Sequence, residues 1–489
     1  MRQSHLVRTL NPEAPVSSNI EANIDRGTLI RSAIACLVGT FILRMAAAVM
    51  GNMIHLYFAK IDREVYPISF TMRSAINAVF FLPELFGSPL LGAMSDRYGR
   101  KLFILLGPLT GAVAVQITAL TTILPLLAIT RFLEGFSTAS AIPATLGYLS
   151  AITSQDEALR ARVMGLFEIA TFGGAIAGLL LGGPLFDTFQ NHAFTVNGII
   201  YLASLAILYF GMIESKSLRT QSPAVALGKQ LGNIWKSTQE ALGKAYGGIQ
   251  TALTTGKVWR FAPAWLAINM LPGLWINNAT GQIVKTSWLP SQILFVNGHA
   301  IFIPGLVLGK FPDQLLFGSL GGTANPGTTI SLVGGIILIF FTTGILLWSL
   351  IVSRFRRTSL MLFCTLGLPV VVAALLMVNH APGFDAPLLR VYLGIAAIAL
   401  MIVSGFTPAA LTYLADLTEH SPVNRGAIMG LYTVLFGLGQ FSGEVLGGPF
   451  GDWQGIDGLL VLTFVLGLVA TGTIFWLRHT ENLTSSPVQ

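Results

Sequence analysis

Six ionisable residues lie inside stretches that are otherwise apolar: Arg44, Glu84, Arg131, Glu134, Glu168 and Glu444. A carboxyl group held away from water can take up and release a proton, and an arginine there must find an anionic partner. The chemistry on offer is therefore proton exchange and ion pairing. Arg131 and Glu134 stand three residues apart and share one helix face, where they either neutralise each other or act together on a proton. Arg44 and Glu84 fall at similar depth and can pair, whereas Glu168 lies close to a helix end, where water reaches it. Glu444 shares a stripe with Thr433 and Gln440, so a structural hydrogen bond to Gln440 or across an interface competes with proton carriage. The seven histidines show no metal-ligand spacing, and His55, near a helix end, reads as solvated or interfacial. Without a phosphate-binding glycine loop, no cofactor, no metal and no ATP are expected.

The elements that must position these groups follow from composition. Of 489 residues, 53% are hydrophobic and 10% charged, with mean hydropathy +0.70, so water is not the solvent for most of the surface. Apolar runs of about 20 residues recur, the length that crosses a hydrocarbon core. The expected fold is an all-α membrane protein with twelve transmembrane helices in two pseudo-symmetric six-helix bundles. The first six spans are Ser32–Tyr57, Ser74–Met94, Leu102–Thr121, Leu126–Leu149, Val163–Phe186 and Phe194–Ile213. The second six are Val258–Ile276, Ile330–Val352, Leu360–Val378, Val391–Leu414, Ala427–Phe450 and Gly458–Leu477. Residues 1–31 form a polar tail with no signal peptide, 32–213 one bundle, 214–257 a linker, 258–477 the other bundle and 478–489 a second tail. The linker carries Leu227, Leu231, Trp235, Leu242, Tyr246, Ile249 and Leu253 at helical spacing, which predicts an amphipathic helix on the membrane surface. Cys36 and Cys364 fall inside spans and read as packing residues.

Lysine and arginine collect at the termini, in the linker and in alternate loops, which places both termini in the cytoplasm. The formal charge of +7 is then explained by topology and the lipid bilayer, with no nucleic acid partner. Within 282–329, Ile293–Val307 is apolar enough for a thirteenth crossing. An odd crossing would carry Arg354, Arg356 and Arg357 outside, so the stretch is read as an external insertion, surface-lying or re-entrant.

The halves are copies of one unit. A shift of 265 residues superimposes Arg160, Met164, Gly165, Gly174, Gly178, Gly182, Gly183, Pro184 and Asp187 on Arg425, Met429, Gly430, Gly439, Gly443, Gly447, Gly448, Pro449 and Asp452. Gly174, Gly178 and Gly182, like Gly439, Gly443 and Gly447, make a flat stripe against which another helix can pack closely.

Between spans two and three the sequence runs Gly92-Ala-Met-Ser-Asp96-Arg97-Tyr-Gly99-Arg100-Lys101. This segment resembles the signature loop of the major facilitator superfamily, Gly-x-x-x-Asp-Arg-x-Gly-Arg-Lys, and twelve spans in two halves match that family across nearly the whole chain. The resemblance implies two bundles rocking about a central cavity lined by spans one, four, seven and ten, with Asp96, Arg97 and Arg100 in the inner gate. The counterpart Ser353-Arg354-Phe355-Arg356-Arg357 lacks the acid, which implies an asymmetric gate. Arg131 to Gly135 resembles the family's Arg-x-x-x-Gly element on span four, for which a part in proton transfer is implied. The glycines of span five resemble the antiporter pattern, except that Leu179 stands where the family has proline.

The function expected is secondary active transport: proton-coupled efflux of a small organic solute by a monomer in the cell membrane. Uptake of an anionic nutrient by symport with a proton or other coupling ion is the rival, since two intramembrane arginines suit an anion. A non-transporting receptor ranks below both, and no catalytic cluster marks an enzyme.

Overall fold

The computed structural model describes residues 26–154, 156–213, 256–284, 293–296, 299–302, 311, 313–320, 325–419 and 425–484. The N-terminal tail up to residue 25 and nearly all of the expected amphipathic linker lie outside the described residues.

Among the described residues the helices make up twelve spans. Span one is Arg26–Glu64, span three Arg100–Leu120, span four Leu124–Ile152, span five Glu157–Phe189 and span six His192–Gly211. Span seven is Gly256–Val284 and span eight Pro326–Ile351. Span two is divided into Phe70–Ala78, a π-helical turn at Pro83–Gly87 and Ser88–Tyr98, because Pro83 cannot donate to the regular hydrogen-bond ladder. Span nine comprises Arg357–Thr365 and Gly367–Asn379, and span ten Pro387–Ser404 and Phe406–Glu419. Spans eleven and twelve form Arg425–Thr484, broken at Gln454 and Gly455. Gly455 has φ +59°, a conformation that disfavours any side chain.

Nine helices among the described residues are long and apolar enough to cross a membrane by length and composition. Spans eleven and twelve count as one of these, and spans four and seven fall outside them. The latter two are diluted by Arg131, Glu134, Ser137 and Thr138 in one and Asn269, Asn277 and Asn278 in the other. The least apolar spans are thus the ones that carry the polar interior.

Span one packs on spans five and six, and span three on four and six; span seven packs on eleven, and span nine on ten and twelve. The bundles meet where span two crosses eleven, span five crosses eight and span one approaches seven. Buried cores fill each bundle, around Met50, Tyr57 and Phe194 in one and Trp265, Phe406 and Leu459 in the other. Leu120, Ile199, Phe210, Leu346 and Leu350 are exposed, as suits side chains that face lipid.

Within the insertion, Ile293–Val296 (β1) and His299–Phe302 (β2) pair antiparallel, with Val296 opposite His299, so among the described residues an otherwise helical chain holds a hairpin. Their β-branched and aromatic residues favour strand, and the intervening Asn297-Gly298 is a favoured hairpin-turn pair. Further along, the backbone N–H groups of Gly318 and Leu320 donate to the carbonyls of Gln282 and Ile283, and Leu315 N–H donates to Asn379 O. This part of the insertion therefore covers the ends of spans seven and nine.

Candidate transport site and gate

At the end of the molecule opposite the Asp96 loop, two carboxylates hold the bundles together. Asp187, closing span five, accepts from Gly327 N–H at 3.0 Å, and from Thr328 N–H and Oγ1 at 2.7 Å each. Asp452, closing span eleven, accepts from Phe70 N–H at 3.0 Å, Thr71 N–H at 2.9 Å and Thr71 Oγ1 at 2.7 Å. Each caps the start of a helix in the other bundle, where unpaired N–H groups and the helix dipole favour a negative charge. One turn further in, Asn52 Nδ2 donates to Ser331 Oγ at 2.8 Å, and Ser74 Oγ donates to Asn278 Oδ1 at 2.6 Å. Asn52 also donates to Leu179 O and Asn278 to Glu444 O. The two clamps occupy equivalent places in the repeat, and they are separated by the same 265 residues. Gly183 and Gly448 allow this approach: a Cβ on the first would enter the Gly327 carbonyl, and one on the second would lie 2.7 Å from Thr71 Cα.

One position breaks the symmetry. Leu179 of span five corresponds to Glu444 of span eleven, which is buried at 1% exposure. Asn277 Nδ2 donates to Glu444 Oε2 at 2.5 Å. His55 Nε2 meets Asn277 Oδ1 at 2.9 Å; an amide oxygen only accepts, so Nε2 carries the proton. Asn77 Nδ2 donates to His55 Nδ1 at 3.4 Å and lies beside Glu444 in the same pocket. The hydrogen bond expected of Glu444, to Gln440 or across an interface, is made to span seven of its own bundle, and His55, read as solvated or interfacial, is 4% exposed where the bundles meet. Beside them Arg73 pairs with Asp62 at 3.1 Å, both buried. Sequence reasoning misses this pair because the expected span two opens at Ser74, one residue after Arg73.

Span four carries the second group. Arg131 and Glu134 form a buried ion pair, and the Arg131 guanidinium lies 5.5 Å from the centre of the Phe80 ring. Gly135 leaves room for the Phe80 carbonyl, which a Cβ would overlap. Thr138 Oγ1 donates to Glu84 Oε1 at 2.6 Å, so the irregular turn of span two sits on one face of span four. The expected Arg44–Glu84 pair is not formed as a direct ion pair; Arg44 acts on Glu84 through charge at longer range, and its buried Nε makes no hydrogen bond. Glu168 is exposed. Among the described residues no group of three His, Cys, Asp or Glu side chains gathers as a metal site would.

The glycine stripes seat a helix in each bundle. Gly174, Gly178 and Gly182 lie against Phe41, Met45 and Asn52 of span one, and Gly439, Gly443 and Gly447 against Asn269, Met270 and Asn278 of span seven.

The sequence profile of the Major Facilitator Superfamily matches residues 36–322 and 293–489. The chain belongs to that superfamily. It is 26% identical over 335 residues to the methylenomycin A resistance protein of Bacillus subtilis, covering 66% of this chain and 67% of that one. To multidrug resistance protein 2 of the same organism it is 26% identical over 374 residues, covering 74% and 83%. Its fold is similar to that of the nucleoside transporter NupG, with a TM-score of 0.64 at 12% identity over 91% of this chain and 98% of that one.

In this superfamily member the Asp96 loop bonds within its own bundle. Arg100 Nε donates to Asp96 Oδ1 at 2.8 Å and NH1 to Gly147 O at 2.8 Å, while Lys101 Nζ donates to Met212 O at 2.7 Å. Gly99 turns the chain at φ +109°. Gly92 packs near Pro143 of span four, and the Arg97 side chain lies outside the described residues. In the second half the acids come from elsewhere: Arg357 pairs with Asp416 of span ten and Arg356 with Glu481 of span twelve. Neither acid lies in the matching loop, so the sequence pattern hid them.

Proposed function

We propose that this protein is a proton-coupled exporter of a small organic solute, working by alternating access as a monomer in the cell membrane with both termini in the cytoplasm. The observation that carries the reading is the buried Arg131–Glu134 ion pair on span four, beside the Glu84–Thr138 hydrogen bond. Breaking a buried pair is costly, by about 3–5 kcal/mol when one partner is removed. A solute held against the ionised Arg131–Glu134 pair and a proton on Glu134 therefore exclude each other, so that a proton reaching Glu134 from outside breaks the pair and releases the solute. Resistance proteins among the relatives favour export. The 32–213 and 258–477 bundles would rock about this site, with Asp96, Arg97 and Arg100 forming a gate on the cytoplasmic side. The clamps at Asp187 and Asp452 close the end opposite the Asp96 loop, which in this topology is the outer side.

Glu134→Gln should abolish gradient-driven solute movement in vesicles while solute binding or exchange remains measurable. Proton-driven transport at the wild-type rate in that variant would remove Glu134 from coupling. Uptake remains the second reading because Arg44 offers a guanidinium with an unbonded Nε to an anion. Opposite pH gradients across the same vesicles separate the two: accumulation against the export direction would favour symport.

A further inference from the structure

Two opposite charges inside the membrane, Arg44 on span one and Glu84 on span two, stand near each other without meeting. Among the described residues Arg44 makes no ion pair and no hydrogen bond, and its Nε is buried and unbonded. Glu84 keeps one hydrogen bond, from Thr138 Oγ1, and feels the charge of Arg44 only from beyond contact distance. A charged side chain inside a membrane either has a partner or faces a water-filled cavity. These two lack the partner.

Both belong to helix faces that border the other bundle. Gly51 and His55 follow Arg44 by seven and eleven residues, close to two and three whole turns, so the three share one face of span one. His55 on that face meets Asn277 of span seven. A Cβ on Gly51 would meet nothing within 4 Å, so the face opens on space between His55 and Arg44. On span two, Asn77 donates to His55 and Glu84 follows seven residues later. A Cβ on Gly437 of span eleven would lie 3.6 Å from Leu85 Cδ1, so this turn of span two also adjoins the other bundle. By rise per residue, Glu84 lies about 10 Å and Arg44 about 16 Å from the His55–Asn77 contact, both towards the Asp96 loop.

We propose that the solute is amphoteric, with an acidic group that binds the Arg44 guanidinium and a basic group that binds the Glu84 carboxylate. This rests on the exporter reading and names the class of its solute. A solute with only a cationic group would gain Glu84 but be repelled by Arg44, which would lose water without gaining an anion as the site closes. A purely anionic solute meets the reverse difficulty at Glu84. Taking an unmatched charge out of water is strongly unfavourable, so a solute that carries both charges is the one that matches both residues. The neighbouring Arg131 does not alter this count, because Glu134 neutralises it within span four.

The test measures binding to the full chain in lipid nanodiscs by calorimetry. The probes are the ortho, meta and para isomers of aminomethylbenzoic acid, each also as its methyl ester, which keeps only the cation, and as its N-acetyl form, which keeps only the anion. At least one parent isomer should bind the wild type about tenfold or more tighter than both of its single-charge forms. In Arg44→Gln the methyl ester should bind at least as tightly as the parent, and in Glu84→Gln the N-acetyl form should do so. If either variant fails to fold, the wild-type comparison still decides. Single-charge forms that bind as tightly as every parent, no binding by any form, or a wild-type preference retained in both variants would overturn the proposal. Parent isomers that bind with this preference but move under a pH gradient of neither sign would keep the amphoteric class and discard the exporter. Gradient-driven export of single-charge forms with no preference for the parent would keep the exporter and discard the class.

Discussion

Asp187→Asn combined with Asp452→Asn is expected to lower the closed-to-open ratio at the clamped end by about a hundredfold. Each carboxylate accepts two backbone N–H bonds and one hydroxyl bond across the interface. Hydrogen bonds to a charged group contribute about 1.5–3 kcal/mol and neutral ones about 0.5–1.5 kcal/mol. Asparagine keeps one acceptor oxygen, turns an NH2 towards donors that need an acceptor and loses the favourable interaction with a helix N-terminus. A loss of about 1.5 kcal/mol per clamp, near tenfold each, is a conservative sum of these effects. The clamps join different pairs of spans, five with eight and eleven with two, so their effects should add. Distances between labels on the two bundles measure the shift. A double variant no more open than either single one would show that the clamps do not act as independent closures.

Gly178→Val and Gly443→Val should each remove most of the folded protein. A Cβ at Gly178 would enter the Met45 carbonyl and lie 2.7 Å from Ala48 Cβ; one at Gly443 would lie 2.8 Å from the Met270 carbonyl carbon and 3.0 Å from Leu274 N. The obstacle is helix backbone, which cannot rotate aside as a side chain can. Overpacking costs about 1–3 kcal/mol where side chains can yield, and the cost here should exceed that range. Gly165 recurs in the same repeat, but a Cβ added there would meet nothing within 4 Å, so Gly165→Ala should be nearly neutral. Thermal unfolding in detergent compares the three variants. Equal stability of Gly165→Ala and Gly178→Val would contradict the seating of span one on the glycine stripe.

The sequence alone determined the twelve spans, because a hydrocarbon core sets a minimum apolar length and few segments of a chain can meet it. It determined the duplication as well, since glycine, proline and aspartate at equal spacing survive where backbone approach and helix ends tolerate little else. The superfamily signature loop was legible for the same reason: its residues are local, and their spacing is read directly. Partners were not legible. Depth along the bilayer matched Arg44 to Glu84, yet Glu84 faces Thr138. Helical spacing offered Gln440 to Glu444, yet Glu444 faces Asn277 across to another span. His55 looked like an end-of-helix histidine and is an interfacial link between bundles. Asp187 and Asp452 were aligned by the repeat without any sign of what they hold. Each of these outcomes depends on how a helix is rotated about its axis and on which helix of the other bundle lies opposite. Periodicity fixes which residues share a face of one helix; only the packing of twelve helices fixes what that face meets.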